Sequence, residues 1–317
     1  MASALIFPGQ GSQRVGMAAA LVNGYKSGMD IMEEVEDAIS CNLLKLISEG
    51  PLEELTRTEN AQPAIFAVSM ACINILEKEY GYILCRECKY LAGHSLGEYS
   101  ALCAAGVFTI QEAARLVRFR GKLMEQAFPE KENCLMMALL GVHASDIEKI
   151  VKPYQDGIDM CVIANDNSPS QVVVSGTKRA VLEVLEKAKN STELVNAIAL
   201  NTSGPFHSPL MGKAAIEFDK MLGSIEFKEF NIPVIMNVLA KPVGNKVDIH
   251  QHLVRQMIEK VRWRETIDFI TADSEIDWIV EIAPGKVLST MLKRANPGVN
   301  VCNLETVAQI EEFVKAE

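Results

Sequence analysis

The sequence predicts an α/β protein: a large domain built on a parallel sheet, residues 1–133 and 200–317, with a small domain, 134–199, inserted into it. Three observations carry this. Short apolar runs ended by Gly or Pro alternate with stretches of helical periodicity through the first 130 or so residues, the pattern of strands and crossover helices. Between about Cys134 and Leu200 the rhythm changes to βαββαβ. After Asn201-Thr-Ser-Gly-Pro the βα alternation resumes.

Taken in order, Ala4 to Phe7 is an apolar run ended by Pro8-Gly9, a buried strand entering a turn. Ile31, Val35, Ile39, Leu43 and Leu46 recur at helical spacing, as do Ile65, Val68, Cys72, Ile75 and Leu76. Lys89 to Ala92 is a second strand, running through Gly93 into a helix from Glu98 to Ala105; Gln111 to Ala127 is the next helix. In the small domain Cys134–Leu140 is a strand, and Ser145–Tyr154 a helix with Ser145 as N-cap and Glu148 completing a capping box. Strands at Asp159–Ala164 and Gln171–Val174 flank a turn at Asn-Asp-Asn-Ser-Pro; helix Thr177–Lys189 and strand Leu194–Leu200 follow. That order is the ferredoxin-like arrangement. Beyond it come a helix after Pro209, strands at Val234–Val238 and Trp278–Ile282, and a helix after Pro284-Gly285.

Composition excludes several classes. The 317 residues are 49% hydrophobic and 23% charged, enough for a core and too balanced for disorder. A net charge of -10 with no basic tail argues against nucleic acid. No apolar run approaches the roughly 20 residues that span a bilayer. The N-terminus lacks a charged leader or a transit pattern, so the expectation is a cytoplasmic, monomeric protein. The eight cysteines suit a reducing compartment; Cys85 and Cys88 form a lone C-x-x-C with no second pair to complete a zinc site, so no metal is expected.

Gly93-His94-Ser95-Leu96-Gly97 carries the chemistry. A G-x-S-x-G between strand and helix is a nucleophile elbow, in which glycines permit a tight turn that lifts the serine hydroxyl into the open. The N–H after the serine, that of Leu96, then faces a developing oxyanion at a helix N-terminus. A serine needs a base. His94 is expected to point away and pack, His143 to be solvated or capping, and His250 and His252 to lie on the surface. His207 is left, in a Gly/Pro-bounded loop at the domain junction. Its orienting group is open: Asp248 and Glu281 are candidates, and backbone carbonyls serve equally well. Phe7-Pro8-Gly9-Gln10-Gly11-Ser12-Gln13 is either a plain connection or a turn presenting a backbone N–H beside the serine. Arg115, Arg118 and Arg120 read as a cationic helix face.

Phe-Pro-Gly-Gln-Gly-Ser-Gln at 7–13, Gly-His-Ser-Leu-Gly-Glu at 93–98, Arg-Phe-Arg-Gly at 118–121, Gly-Pro-Phe-His-Ser-Pro-Leu-Met at 204–211 and Leu-Val-Arg-Gln at 253–256 together resemble the malonyl-CoA:acyl carrier protein transacylases of bacterial fatty acid synthesis. Trans-acting polyketide acyltransferases share these motifs. The resemblance spans nearly the whole chain and implies an α/β-hydrolase-like large domain. It implies that Ser95 carries the acyl group, that His207 is base and then acid, and that the N–H groups of Gln10 and Leu96 form the oxyanion hole. Arg120 would grip the malonyl carboxylate, as a bidentate guanidinium suits, and Gln256 would orient His207 through its carbonyl. Phe206 resembles the malonyl-selecting form of the loop, its bulk crowding an α-branch. Substrates would be malonyl-CoA and phosphopantetheinylated acyl carrier protein, with no cofactor.

Carrier proteins of this kind are acidic, and so is this chain, above all in its first 60 residues, with 4 basic and 9 acidic side chains. Docking is therefore expected on a local basic patch elsewhere: Lys178, Arg179, Lys187 and Lys189, with Arg262 and Arg264.

Overall fold

A computed structural model describes residues 2–128 and 131–316. One sheet has six strands: β1 (Ser3–Phe7), β2 (Cys88–Gly93), β7 (Val234–Met236), β8 (Lys241–Val243), β9 (Trp278–Ile282) and β10 (Val301–Leu304). Their order is β10-β9-β1-β2-β7-β8, parallel throughout except for the β7–β8 hairpin. A separate antiparallel sheet holds β3 (Cys134–Leu140), β4 (Cys161–Ser168), β5 (Gln171–Thr177) and β6 (Asn196–Ala199) in the order β4-β5-β3-β6.

The apolar run of β1 is wholly buried because helices cover both faces of its sheet. Its side chains alternate between two cores: Leu5 and Phe7 join the larger one with Phe66 and Tyr99, while Ala4 and Ile6 pack with Trp263 and Ile267 on the other face. The register sets Phe7 beside Gly93, so the loops leaving β1 and β2 emerge together at the carboxyl edge, where parallel sheets bind ligands. The antiparallel sheet has a core of its own, around Leu139, Ile147, Val174 and Val184, beneath its two helices.

The buried Thr58–Tyr80 helix runs past Pro63, which cannot donate to the carbonyl four residues back. That carbonyl, of Glu59, accepts a hydrogen bond from Arg118 instead, at 2.9 Å. Arg118 lies on the Ile110–Gln126 helix, which begins at a capping box of Thr109 and Glu112. A Cβ on Gly121 would stand 2.5 Å from the Thr58 carbonyl oxygen, so glycine there permits the close crossing of the two helices.

Several sequence expectations need correction. The helical spacing from Ile31 to Leu46 is split: helix Lys26–Ile39 ends at Ser40, at φ +50°, and Leu43–Glu49 is a second helix. Ser145 is not an N-cap. The helix starts at Ala144 with His143 extended in the cap position, because that phase directs Ile147 and Val151 into the small core. The polar stretch after Ala164 is not a turn. β4 continues through Asn165, Asp166 and Asn167 to Ser168, all buried at the junction of the two sheets. Asp166 is gripped by Arg264 at 2.9 Å, and its N–H donates to the Val261 carbonyl oxygen. Arg264 is thus a clamp between the sheets rather than a free docking cation.

Asp166→Ala should leave the Arg264 guanidinium with only Asp268, on its own helix, and lower stability by roughly 2 kcal/mol, less than for a fully buried pair because Arg264 keeps that partner and stays partly hydrated. A urea midpoint unchanged from the parent protein would contradict the clamp.

Candidate active site

The elbow is a steric consequence of its glycines. A Cβ on Gly93 would lie 1.9 Å from the Gly97 backbone, and one on Gly97 would lie 2.1 Å from the Phe7 carbonyl oxygen. Without side chains the turn presses against β1, where the His94 N–H donates to the Phe7 carbonyl oxygen at 3.0 Å. Ser95 is left in the left-handed region, at φ +52°, at the foot of the Gly97–Ala104 helix. His207, on the loop before the Gly212–Leu222 helix, has φ +54°. Both conformations are costly for residues with a Cβ, and such strain concentrates at sites of function.

Ser95 Oγ lies 2.8 Å from His207 Nε2. On the far side of the ring, Nδ1 is 2.7 Å from the Gln256 carbonyl oxygen. A carbonyl can only accept, so Nδ1 carries the proton and Nε2 of the neutral ring is free to receive the serine proton. Burial pushes the His207 pKa down to about 3, with the Arg120 cation adding to the effect. The ring is therefore an uncharged base at neutral pH.

Arg120 is 1% exposed. One terminal nitrogen donates to Gln62 Oε1 at 2.9 Å; the other donates to Gln256 Oε1 at 2.8 Å and reaches Ser95 Oγ at 3.2 Å. The guanidinium lies over Tyr99 at 5.2 Å, and its Nε is buried without a partner. Every one of these partners is neutral. The buried Glu98 carboxyl does not redress this, since burial raises its pKa to about 8 and keeps it largely protonated at neutral pH. Burial lowers the Arg120 pKa too, yet a guanidinium remains a cation. The site thus holds an unpaired positive charge beside a serine hydroxyl.

Gln256 joins the three groups. Its carbonyl orients His207, its Oε1 holds Arg120, and its Nε2 donates to the Ser95 carbonyl oxygen at 2.8 Å. Gln10 sits opposite, its side-chain amide 3.3 Å from Thr58 Oγ1, which in turn meets Ser203 Oγ at 2.8 Å. The backbone N–H groups of Gln10 and Leu96 donate to no acceptor among the described residues. Both residues, with Ser95, Arg120, His207 and the buried Phe206, line a cavity of 360 Å³ that reaches Met136, Asn165 and Val173 of the antiparallel sheet.

The remaining histidines and acids fall elsewhere. His94 bonds Asn167 at 2.9 Å and packs edge-on to Trp263. His143 is exposed. His250 pairs with Asp219, whereas His252 is buried, contrary to the surface expectation, because its helix turns that face inward. Neither Asp248 nor Glu281 orients His207. Asp248 flanks the Ile249–Gln256 helix, and Glu281 accepts the N–H groups of Leu288 and Ser289 at another helix start. Sequence reasoning passed over Gln62, Glu98 as an individual residue, and Asn237. All three are buried, and Asn237 interrupts the apolar run 234–240 at the carboxyl end of a strand, which is the signal that could have marked it.

An acyl transferase domain family model matches residues 4–309. A malonyl CoA-acyl carrier protein transacylase of Bacillus subtilis (strain 168) is 38% identical over 317 residues, 99% of this chain and 98% of the relative. Among solved structures, an acyl-carrier-protein-S-malonyltransferase from Bartonella henselae superposes with a TM-score of 0.94 at 40% identity, covering 100% of this chain and 99% of that one. A malonyl-transacylase in complex with its type II PKS acyl-carrier protein gives a TM-score of 0.94 at 35% identity, covering 100% of both chains.

The low His207 pKa has a kinetic consequence. Labelling of Ser95 by a neutral fluorophosphonate should hold its rate from about pH 7 to about pH 5, where an ordinary histidine of pKa about 6.5 would lose most of its base form. Arg120→Gln removes the neighbouring cation and should move the acid limb upward. A midpoint near 6.5 in the parent enzyme would refute the neutral, buried base.

Proposed function

The chain belongs to the malonyl CoA-acyl carrier protein transacylase family of acyl transferases, and from that premise we propose how its side chains divide the work. The reaction moves malonyl from malonyl-CoA to the phosphopantetheine thiol of acyl carrier protein, supplying fatty acid elongation. In our reading, Ser95 Oγ attacks the thioester carbonyl carbon as its proton passes to His207 Nε2. The oxyanion is taken by the N–H groups of Leu96 and Gln10. Collapse breaks the C–S bond, the CoA thiolate leaves with the proton from His207, and malonyl remains as an ester on Ser95. The carrier thiol then runs the same steps in reverse order. Since a thioester is exchanged for a thioester, side chains suffice and no cofactor is invoked.

The observation that carries the malonyl reading is the buried Arg120 guanidinium, which has neutral partners and lies within 3.2 Å of the nucleophile. A malonyl carboxylate supplies the missing anion, and Gln256 and Gln62 hold the fork toward it. Phe206 in the cavity wall supports selection against an α-branched acyl group. We read residues 1–133 and 200–317 as the α/β-hydrolase-like domain and 134–199 as a ferredoxin-like insert. The second reading is supported by the strand order β4-β5-β3-β6, which is that arrangement's 2-3-1-4.

The carrier would dock where its arm can reach Ser95. Four of the six cations expected to receive it are tied to carboxylates: Arg179 to Glu183, Lys189 to Glu186, Arg262 to Glu265 and Arg264 to Asp166. A groove that shares Gln171, Val287 and Met291 with the cavity is bordered by Lys286 and Arg294, which favours those two as the local basic patch.

Arg120→Gln should slow malonyl transfer roughly a hundredfold, as expected when a buried charge pair loses one member, while acetyl transfer changes little. Parallel single-turnover rates with the two CoA thioesters measure this. Equal losses for both donors would remove the carboxylate clamp.

A further inference from the structure

We infer that Asn237 is a positioning residue that holds the nucleophile's backbone in its left-handed conformation, its carboxamide bridging Gly93 and Ser95 across the turn. The inference rests on Ser95 being the nucleophile. Asn237 follows β7 directly and is 0% exposed. Its Oδ1 accepts the Ser95 N–H at 2.8 Å, and its Nδ2 donates to the Gly93 carbonyl oxygen at 2.6 Å. Its own backbone is fixed as well. The N–H donates to Glu98 Oε2 at 2.8 Å, and the carbonyl accepts from the Arg262 N–H at 3.0 Å.

The elbow needs such a support. The glycines make room for the turn, but they do not favour a positive φ at Ser95 itself, where a Cβ opposes it. A carboxamide that binds one carbonyl and one N–H two residues apart closes the turn from a neighbouring strand. An amide offers that donor and acceptor together in a planar, short side chain at every pH, whereas a carboxyl does so only when protonated. Without it, Ser95 can relax toward negative φ. That rotation carries Oγ off His207 Nε2 and turns the following N–H, of Leu96, away from the oxyanion. A misplacement of about 1 Å at such a centre costs on the order of a hundredfold in rate.

Asp at 237 gives a signature that simple loss of packing would not. Ionised, it sets an acceptor against the Gly93 carbonyl; protonated, it supplies an O–H to that carbonyl and still accepts from Ser95. The charged and titratable groups facing this position are Glu98, bonded to the Asn237 N–H, and Arg262, whose side chain donates to the Val238 and Leu239 carbonyls. Arg120 and His207 stand behind Gln256. The parent enzyme carries all four, so it serves as the baseline.

The test is the single-turnover rate of malonyl-enzyme formation for the parent, Asn237→Ala and Asn237→Asp, with melting temperature and KM for malonyl-CoA alongside. The expected result is a loss of roughly a hundredfold in the acylation rate for both variants at neutral pH, KM within about threefold, and unchanged preference for malonyl over acetyl. Asn237→Asp should recover rate as pH falls, while the parent stays level. A variant that folds and acylates within about threefold of the parent, or an aspartate variant with no acid recovery, overturns the proposal. If neither variant folds, amide exchange in the parent enzyme decides. Protection of the Ser95 N–H comparable to that of β2 supports the bridge, and exchange at the rate of an open loop refutes it. Absence of malonyl on Ser95 in the parent would instead sink the nucleophile reading on which this depends.

Discussion

Gly97 stands so close to the first strand that no side chain fits between its Cα and the Phe7 carbonyl oxygen, and the rest of the site follows from that contact. Gly93 meets Gly97 in the same way, so strand, turn and helix are drawn into one compact unit at the carboxyl edge of the sheet. A larger residue at either position would have to displace backbone rather than a flexible side chain. The close approach leaves Ser95 strained and exposed to the cavity, with a helix N-terminus beneath it. Backbone packing therefore makes room for the turn that presents the hydroxyl, and the Asn237 hydrogen bonds to Gly93 and Ser95 hold it there.

Around that fixed point the electrostatics are built from few charges. Burial makes His207 a neutral base and Glu98 a largely neutral acid, while Arg120 keeps its charge among amide and hydroxyl oxygens. A buried cation without a counterion is costly. On the proposed reading the same cost becomes selectivity when the substrate brings the anion: a donor lacking a carboxylate would leave the charge unpaired. Gln256 links the two halves of this arrangement, since one residue hydrogen-bonds the His207 ring, the Arg120 guanidinium and the Ser95 backbone. Its placement at the end of a short helix lets its backbone carbonyl and its side chain both face the cavity.

Features with a local cause were legible in the sequence. β1, β3 and β9 coincide with apolar runs to within a residue, and the elbow announces itself through glycine spacing. Features decided by tertiary contacts were not. Asn165, Asp166 and Asn167 have the composition of a turn, yet they form the end of a strand because Val261, Arg264 and His94 satisfy them across the junction. Ser145 and Glu148 have the spacing of a capping box, but the apolar stripe of Ile147 and Val151 goes with a helix whose cap, His143, lies two residues earlier than that motif places it. In the site, Ser95, His207 and Arg120 could be singled out from motifs. Gln62 could not, because a neutral amide gives no hint of which atoms it will meet, and Asn237 carried only the general signal of a polar residue at the carboxyl end of a strand.

The most direct measurement is the mass of the intact protein after mixing with malonyl-CoA, followed by peptide mapping. The expected result is a gain of one malonyl group, borne on the peptide containing Ser95, released by a pantetheine thiol and absent from Ser95→Ala. A malonyl group mapped to another residue, or one retained by Ser95→Ala, would contradict it.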